Sequence, residues 1–238
     1  MKFLDRATAG RRLAKVVSER KKTFPSGQDG SGEIIVVGLP RGGVPVAFEV
    51  AKSLNCPLEI ITSKKLSYPG QPEYAIGAVS SDGFVVLNPN IPQTSDWQDY
   101  VDGERKRLRK ETLANEERLY RLAGRERCTK YDGKCVIIVD DGIATGMTAI
   151  AAIETARARG AAAVYLAAPV ICRESFFELN EHCNGLIACE VPEVFESVGY
   201  YYVNFQQTLD DEVVEALREK LPPVHNHAVR KSSVNSIG

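Results

Sequence analysis

The sequence predicts an α/β protein: a doubly wound, mainly parallel sheet with helices on both faces, plus a small hood. Short apolar runs rich in β-branched residues recur along the chain, as at 34–37 and 135–139. Strands buried on both faces of a parallel sheet have this composition. Glycine-rich turns and segments of helical pattern follow both runs. Strands that alternate with helices at this spacing favour a parallel sheet with right-handed crossovers.

The individual elements follow from periodicity and from turn-forming residues. The predicted helices are an opening helix that ends near Lys21 or Lys22, then 44–54, a long charged helix within 95–127, 149–159 and 174–181. The predicted strands are 34–37, 58–62, 135–139, 163–170 and 186–189, with a hairpin that joins 78–79 to 84–87. Residues 23–32 and 68–73 are rich in Gly, Pro and Ser, and we predict loops there.

Composition narrows the functional classes. The 238 residues carry a formal net charge of −1, so no overall charge points to a nucleic-acid partner. No apolar stretch approaches the ~20 residues that span a bilayer, so we expect no membrane partner. None of the six cysteines forms a Cys-x-x-Cys pair, which favours a reducing compartment. We therefore expect a cytoplasmic protein, although the Arg-rich N-terminus leaves an organellar transit peptide open.

The long charged segment has two interpretations. Its basic stretch at 105–110 is compatible with nucleic-acid binding. Its interspersed glutamates instead favour a solvated helix face that carries ion pairs between residues four apart. We prefer the solvated face.

The turn after the strand 135–139 carries the most specific chemistry. Asp140 and Asp141 end the strand, and two adjacent carboxylates cannot both point into an apolar core. Small and hydroxylated residues then open a helix: Ala144, Thr145, Gly146, Met147 and Thr148. Free N–H groups at a helix N-terminus bind phosphate, while carboxylates accept hydrogen bonds from sugar hydroxyls. The turn therefore predicts a sugar-phosphate site.

A second turn and a third segment are weaker signals by themselves, and Gly-Gly after a strand often makes only a tight turn. In the turn at 38–43, Gly42 and Gly43 permit close backbone approach, and Arg41 supplies a fixed positive charge. Lys64 and Lys65 follow the strand 58–62 and open the segment 63–73. Two lysines after a strand are also what plain solvation produces.

The run from Val136 to Thr148 resembles the phosphoribosyl-pyrophosphate signature of the type I phosphoribosyltransferases. The resemblance implies that Asp140 and Asp141 bind the ribose hydroxyls and that 144–148 binds the 5-phosphate. It assigns pyrophosphate to Arg41, Gly42, Gly43 and Lys64, in a loop that sometimes contains a non-proline cis peptide. It also makes 63–73 a mobile loop over the reactive centre, with Lys65 as the preferred catalytic lysine. Gly142 departs from the family pattern, in which an aliphatic residue is commoner, and we expect it to loosen the turn.

The chain is most similar to the predicted, uncharacterised phosphoribosyltransferases. It shares their Asp5-Arg6 and Gly10 opening helix, their Gly-Leu-Pro-Arg-Gly-Gly-Val-Pro turn and their Val-Gly-x-Tyr-Tyr segment. We expect one domain over 1–221, with hood or variable parts at about 95–128 and 190–207, and a disordered tail over 222–238. In the hood, Phe195, Tyr200 and Tyr201 are candidates for stacking on a planar base, although aromatic residues more often belong to a core.

The resemblance implies a Mg²⁺-dependent enzyme that transfers a 5-phosphoribosyl group from its pyrophosphate donor to a nitrogen acceptor, with a nucleobase expected. The substrate oxygens would hold most of the Mg²⁺ ligand sphere, with Asp140 and Asp141 as the candidate protein ligands. Ala144 stands where hypoxanthine-guanine enzymes carry an Asp, so that acceptor class is disfavoured. A homodimer is expected. Two alternatives stay open: a sensor that binds the donor or a nucleotide without turnover, and a hydrolase or phosphorylase that uses the same cradle.

Overall fold

The computed structural model describes residues 2–25, 33–91 and 97–224, without the side chains of residues 72 and 73. The helices are α1 (Arg6–Glu19), α2 (Gly43–Leu54), α3 (Trp97–Ala123), α4 (Met147–Ala158), α5 (Arg173–His182) and α6 (Asp210–Arg218). The strands are β1 (Ile34–Gly38), β2 (Leu58–Ile60), β3 (Ser63–Tyr68), β4 (Gln71–Ser80), β5 (Val85–Leu87), β6 (Cys135–Val139), β7 (Ala163–Val170) and β8 (Gly185–Glu190).

Five strands form the main sheet in the order β2-β1-β6-β7-β8, and all neighbouring pairs are parallel. Helices α1 and α2 cover one face, and α4 and α5 cover the other. The predicted doubly wound, mainly parallel sheet is therefore confirmed. Because the strands are parallel, all of their carboxyl ends meet at one edge, where such folds bind ligands.

Alternation along the strands divides the core into two layers. On β6, Ile137 and Val139 face α1 and α2, whereas Val136 and Ile138 face α4. All four side chains have no solvent exposure. Burying one such side chain contributes roughly 1.5 to 3 kcal/mol, so this strand is anchored from both sides. The rigid strand fixes the turn that follows it.

A second, three-stranded antiparallel sheet has the order β3-β4-β5. The predicted hairpin is confirmed, since Ala78 pairs with Val86 and Val79 with Val85. The loop predicted at 68–73 is wrong, because β3 reaches Tyr68 and β4 begins at Gln71. Gly70, at a φ of +72°, allows the chain to reverse within two residues. The antiparallel partner strand then supplies the backbone hydrogen bonds that local composition did not predict.

Helix α3 packs its first half on the second sheet. Trp97, Val101 and Leu108 join Leu66 and Ile76 in a small separate core. On the outer side, Arg107 bonds Glu104 at 2.6 Å and Glu111 at 3.3 Å, as the solvated-face interpretation expects. The small unit thus consists of β3–β5 and α3, and the predicted hood range 95–128 covers only its helical part.

Two predictions fall on residues outside the described ranges. Most of the loop predicted at 23–32 lies in 26–32, and most of the predicted disordered tail lies in 225–238. Both remain predictions. Among the helices that the structure describes, none is both long enough and apolar enough to cross a bilayer.

Candidate active site

The two predicted ligand turns lie side by side at the carboxyl edge of the sheet. Gly38, the last residue of β1, is in register with Val139, the last residue of β6. Just beyond, the Leu39 N–H donates to the Val139 carbonyl at 2.9 Å. The turn 39–43 and the turn 140–146 therefore begin at the same height, on neighbouring strands.

The glycines of the first turn are required by contact with the second. A Cβ on Gly42 would lie 2.1 Å from the Asp141 Oδ2 atom. A Cβ on Gly43 would lie 2.6 Å from the Val139 carbonyl oxygen and 2.8 Å from the Asp140 Cα atom. The peptide bond between Pro40 and Arg41 is cis, as the resemblance implies for this loop. The two turns are therefore packed backbone against backbone.

Replacing Gly43 by alanine is expected to separate the turns. The new methyl group meets backbone atoms, which cannot rotate away, so we expect a destabilisation of about 1 to 3 kcal/mol. Chemical denaturation of both proteins measures it. A matched control is Gly103→Ala in α3, where an added Cβ meets nothing within 4 Å. There alanine should stabilise the helix by about 0.5 to 1 kcal/mol, and an equal loss in both variants would contradict the packing argument.

The paired acids occupy the junction between the turns. Arg6 Nε donates to Asp141 Oδ2 at 2.8 Å, and the Tyr202 hydroxyl donates to the Asp141 carbonyl at 2.6 Å. The Asp141 N–H in turn donates to Asp140 Oδ1 at 2.9 Å. Both residues are half-buried, and both lie at the ligand edge of the sheet as predicted.

Burial governs the charge of the pair. Burial, and after it the neighbouring charge of Asp141, raises the pKa of Asp140 well above its ordinary value. Burial also raises the pKa of Asp141, although the Arg6 guanidinium opposes the shift. Burial and mutual repulsion make the ionised forms of both carboxylates unfavourable in the folded protein. Adjacent carboxylates with such raised pKa values are typical of a functional site.

The segment 144–148 forms the start of α4. Gly146 takes a φ of +73°, and a Cβ there would lie 2.5 Å from Leu179. Glycine thus permits both the left-handed turn and the contact with α5. Ala144 and Thr145 are exposed, and the helix begins at Met147. The unpaired N–H groups of a helix start are directed at this exposed edge, as a phosphate site requires.

The first turn and the start of β3 line a cavity of about 550 Å³. Its described walls are Pro40, Arg41, Thr62, Ser63, Lys64, Glu111, Thr112, Asn115 and Asp210. Both Arg41 and Lys64, predicted for pyrophosphate, therefore line one cavity. Lys65, the preferred catalytic lysine, shares the strand face of Ser63, whose hydroxyl donates to the Thr148 carbonyl at 3.3 Å. Lys65 thus lies on the side of the phosphate segment, and its role stays a prediction.

The three aromatic candidates for base stacking, in the predicted hood range 190–207, differ in their surroundings. Phe195 and Tyr201 stack on each other, with ring centroids 5.6 Å apart, and Tyr201 is buried with Phe3. Tyr200 keeps 47% of its surface exposed. Lys2 Nζ lies over the Tyr200 ring, 4.5 Å from its centroid, so this exposed aromatic is already partly covered, whereas Tyr201 belongs to a core.

Glycine stands at position 142 for a reason other than the predicted loosening of the turn. Its φ is outside the left-handed region, so the turn does not need glycine for its backbone conformation. A Cβ would instead lie 2.4 Å from the Val198 Cγ1 atom. The glycine makes room for the hood, whose Val198 fills the space of a side chain.

Sequence reasoning missed several residues of the site. It gave Arg6 no role, and Arg6 binds Asp141 from α1, where the Asp5 carboxylate caps the helix by accepting the Thr8 N–H at 2.7 Å. It missed α6, which brings Asp210 to the cavity wall. The only signal for Arg6 was its place in the shared opening motif, and nothing in the sequence pointed to Asp210.

Metal ligands in the described part of the chain are few. No group of three or more His, Cys, Asp or Glu side chains there is arranged to hold a metal ion. Asp140 and Asp141 nevertheless present adjacent carboxylates at the ligand edge. Magnesium commonly binds through one or two carboxylates together with substrate phosphate oxygens and water, and this pair fits that pattern.

The fold is an α/β domain with a parallel sheet and two glycine-containing turns at its ligand edge, and comparison with known proteins identifies the family. The model of the phosphoribosyl transferase domain matches residues 6–205, so the chain belongs to this family. Two Mycobacterium tuberculosis proteins, from strains CDC 1551 and H37Rv, are 43% identical over 218 residues and bear the name "Putative phosphoribosyl transferase". The match covers 90% of this chain and 46% of each relative, so the chain spans about half their length.

A solved structure with a similar sequence has a similar fold. The protein TT1426 of Thermus thermophilus is 35% identical and superposes with a TM-score of 0.74. The match covers 92% of this chain and 98% of that one. The predicted resemblance to type I phosphoribosyltransferases is thus confirmed, and the second antiparallel sheet fits the hood of that fold.

Proposed function

We propose that the protein transfers a 5-phosphoribosyl group from phosphoribosyl pyrophosphate to a nitrogen acceptor and releases pyrophosphate. The observation that carries the proposal is the contact between the two turns. Gly42 and Gly43 lie directly against Asp140 and Asp141, so a pyrophosphate on one turn and a ribose on the other would be neighbours. A single phosphoribosyl pyrophosphate molecule contains both groups and would span both turns.

The mechanism follows from where charge develops. As the C1–oxygen bond to pyrophosphate breaks, the leaving group takes the bonding electrons and the ribose ring gains positive character. Arg41 and Lys64 would neutralise the leaving group, and Asp140 and Asp141 would hold the ribose hydroxyls. The segment 144–148 would fix the 5-phosphate. The chain's contribution is thus positioning and charge stabilisation, together with exclusion of water when the β3–β4 hairpin closes over the site.

Magnesium would be held by Asp140 or Asp141 together with the substrate oxygens. When bound it supplies positive charge that partly neutralises the pyrophosphate group. Arg6 would keep Asp141 oriented for this task, because its guanidinium is fixed between the carboxylate and the Phe205 ring, 4.1 Å away.

The acceptor is proposed to be a nucleobase that approaches from the hood side. Tyr200 is the candidate to stack on it, and Lys2, whose Nζ lies 4.5 Å from the ring centroid, would have to move aside. Ala144 provides no carboxylate that could accept a proton from the base. An acceptor that loses its proton readily, or that attacks through an unprotonated nitrogen, is therefore favoured over hypoxanthine or guanine. A cytoplasmic homodimer remains the expected context.

The test is a turnover assay with Mg²⁺, the donor and a panel of purines, pyrimidines and other amines. We expect one acceptor class to yield a nucleotide and pyrophosphate in equal amounts. Release of phosphate or pyrophosphate without an acceptor would instead favour the hydrolase or phosphorylase alternative. Tight donor binding without product under every acceptor would favour the sensor. Unchanged donor affinity in both Asp141→Asn and Thr145→Val would exclude the assigned site.

A further inference from the structure

The cavity beside Arg41 carries two negative charges as well as two positive ones. Arg41 Nη1 lies 3.7 Å from Asp210 Oδ1, and Lys64 forms an ion pair with Glu111. All four residues line the same cavity. The formal charges of the described wall residues therefore sum to zero, although the site is proposed to bind a polyanion.

The two acids come from elements outside the phosphate turns. Asp210 opens α6, and its carboxylate is also paired with Arg118 of α3. Glu111 lies on α3 and also accepts from Arg107 at 3.3 Å. The hydrogen bond from Lys64 lowers the pKa of Glu111, so that acid stays ionised at neutral pH. Both carboxylates are thus held in place by a second cation while they face the first.

Charge decides which anion such a cavity prefers. Bare pyrophosphate carries several negative charges near neutral pH, and each of them is repelled by Asp210 and Glu111 as well as attracted by Arg41 and Lys64. A diphosphate that already carries a divalent cation presents less negative charge, and the repulsion falls with it. Asp210 and Glu111 therefore weaken the binding of bare pyrophosphate more than the binding of its complex with a divalent cation.

We propose that Asp210 and Glu111 are specificity-determining counterions of the pyrophosphate cavity, which select a cation-complexed diphosphate over a bare polyanion. The proposal rests on the proposed function, since it assumes that the cavity receives the pyrophosphate group. In the empty protein the acids pair with Arg41 and Lys64, and a bound diphosphate would compete with them for these two cations. All four side chains are 34% to 51% exposed, so solvent screens each contact and the effect per acid is modest.

The experiment is calorimetric titration of the full chain with sodium pyrophosphate, with and without Mg²⁺, at low and moderate salt. We compare wild type with Asp210→Asn, Glu111→Gln and the double variant. Each substitution is expected to tighten binding of bare pyrophosphate by about threefold to tenfold, with a smaller gain for the Mg²⁺ complex. The preference for the complex should therefore fall, and the difference should shrink as salt rises.

Glu154→Gln is the matched control, because Glu154 forms an exposed pair with Arg157 on α4, away from the cavity. It should leave both affinities unchanged. Unchanged affinities in the double variant, an equal gain for both ligands, or a loss confined to the Mg²⁺ complex would each overturn the proposal. Failure of the proposed function looks different: wild type itself would bind neither pyrophosphate nor the donor. Equal thermal midpoints of Asp210→Asn and wild type would show that a shift does not reflect unfolding of α6.

Discussion

Replacing Glu116 by alanine is expected to destabilise the fold by about 3 to 5 kcal/mol, the usual cost of leaving buried charges without a partner. Glu116 has no solvent exposure, and its two oxygens serve different elements. Oε1 accepts from Arg127 at 2.5 Å and from Arg159 at 3.2 Å. Oε2 accepts from the Thr62 N–H at 2.7 Å. Without it, Asp82 is the carboxylate left to pair with both guanidinium groups, and the buried Thr62 N–H loses its acceptor.

Denaturant unfolding measures the effect, and Glu117→Ala supplies the control. Glu117 is the next residue of α3 and is exposed, so the same change of residue type there removes no buried partner. We expect its free energy of unfolding to stay within about 0.5 kcal/mol of wild type. Comparable losses at 116 and 117 would mean that the network does not carry the stability assigned to it. Since Thr62 borders Ser63 and Lys64, the loss should also weaken pyrophosphate binding.

Replacing Asp140 by asparagine is expected to have opposite effects on binding and on stability. Donor affinity should fall about 10- to 100-fold, because a charged acceptor of ribose hydroxyl hydrogen bonds is lost. Stability at neutral pH should rise by about 1 kcal/mol, or ~2 to 4 °C in Tm. The gain arises because burial raises the pKa of Asp140, so its ionised form is disfavoured in the folded state. Asparagine keeps an oxygen for the Asp141 N–H without that charge.

The pH dependence follows from the sign of the shift. The folded protein binds the proton more tightly than the unfolded chain, so wild-type stability rises as pH falls through the folded pKa of Asp140 towards 3.8. The advantage of Asp140→Asn should therefore be full above the folded pKa of Asp140 and vanish below 3.8. Thermal unfolding across that range measures it. A constant difference at all pH values would exclude the buried charge as its cause.

Much of the main sheet was predictable because its signals are local. The strands at 34–37 and 135–139 are apolar on both faces, and buried parallel strands require that pattern. The turns that follow them were also predictable from local sequence. Glycine, carboxylates and threonine have few other reasons to occur together between a strand and a helix. The position of the candidate site at this edge therefore followed from short segments.

What could not be predicted depends on contacts between distant segments. The Arg6–Asp141 pair joins residues 135 positions apart, and the Arg41–Asp210 pair joins the first turn to the last described helix. No periodicity encodes such pairs. The β3–β4 hairpin was missed because its stability comes from a partner strand and not from the composition of 68–73. Gly142 was misjudged because its neighbour, Val198, is far along the chain.

The fit of Val198 against Gly142 has a consequence for engineering. The turn 140–146 and the segment 190–207 share one volume, in which a side chain from position 198 takes the space that an aliphatic residue at position 142 would need. A hood segment exchanged with that of a relative would therefore arrive with the wrong size at this point. Any chimera that aims to change the acceptor has to exchange positions 142 and 198 together, as a single unit.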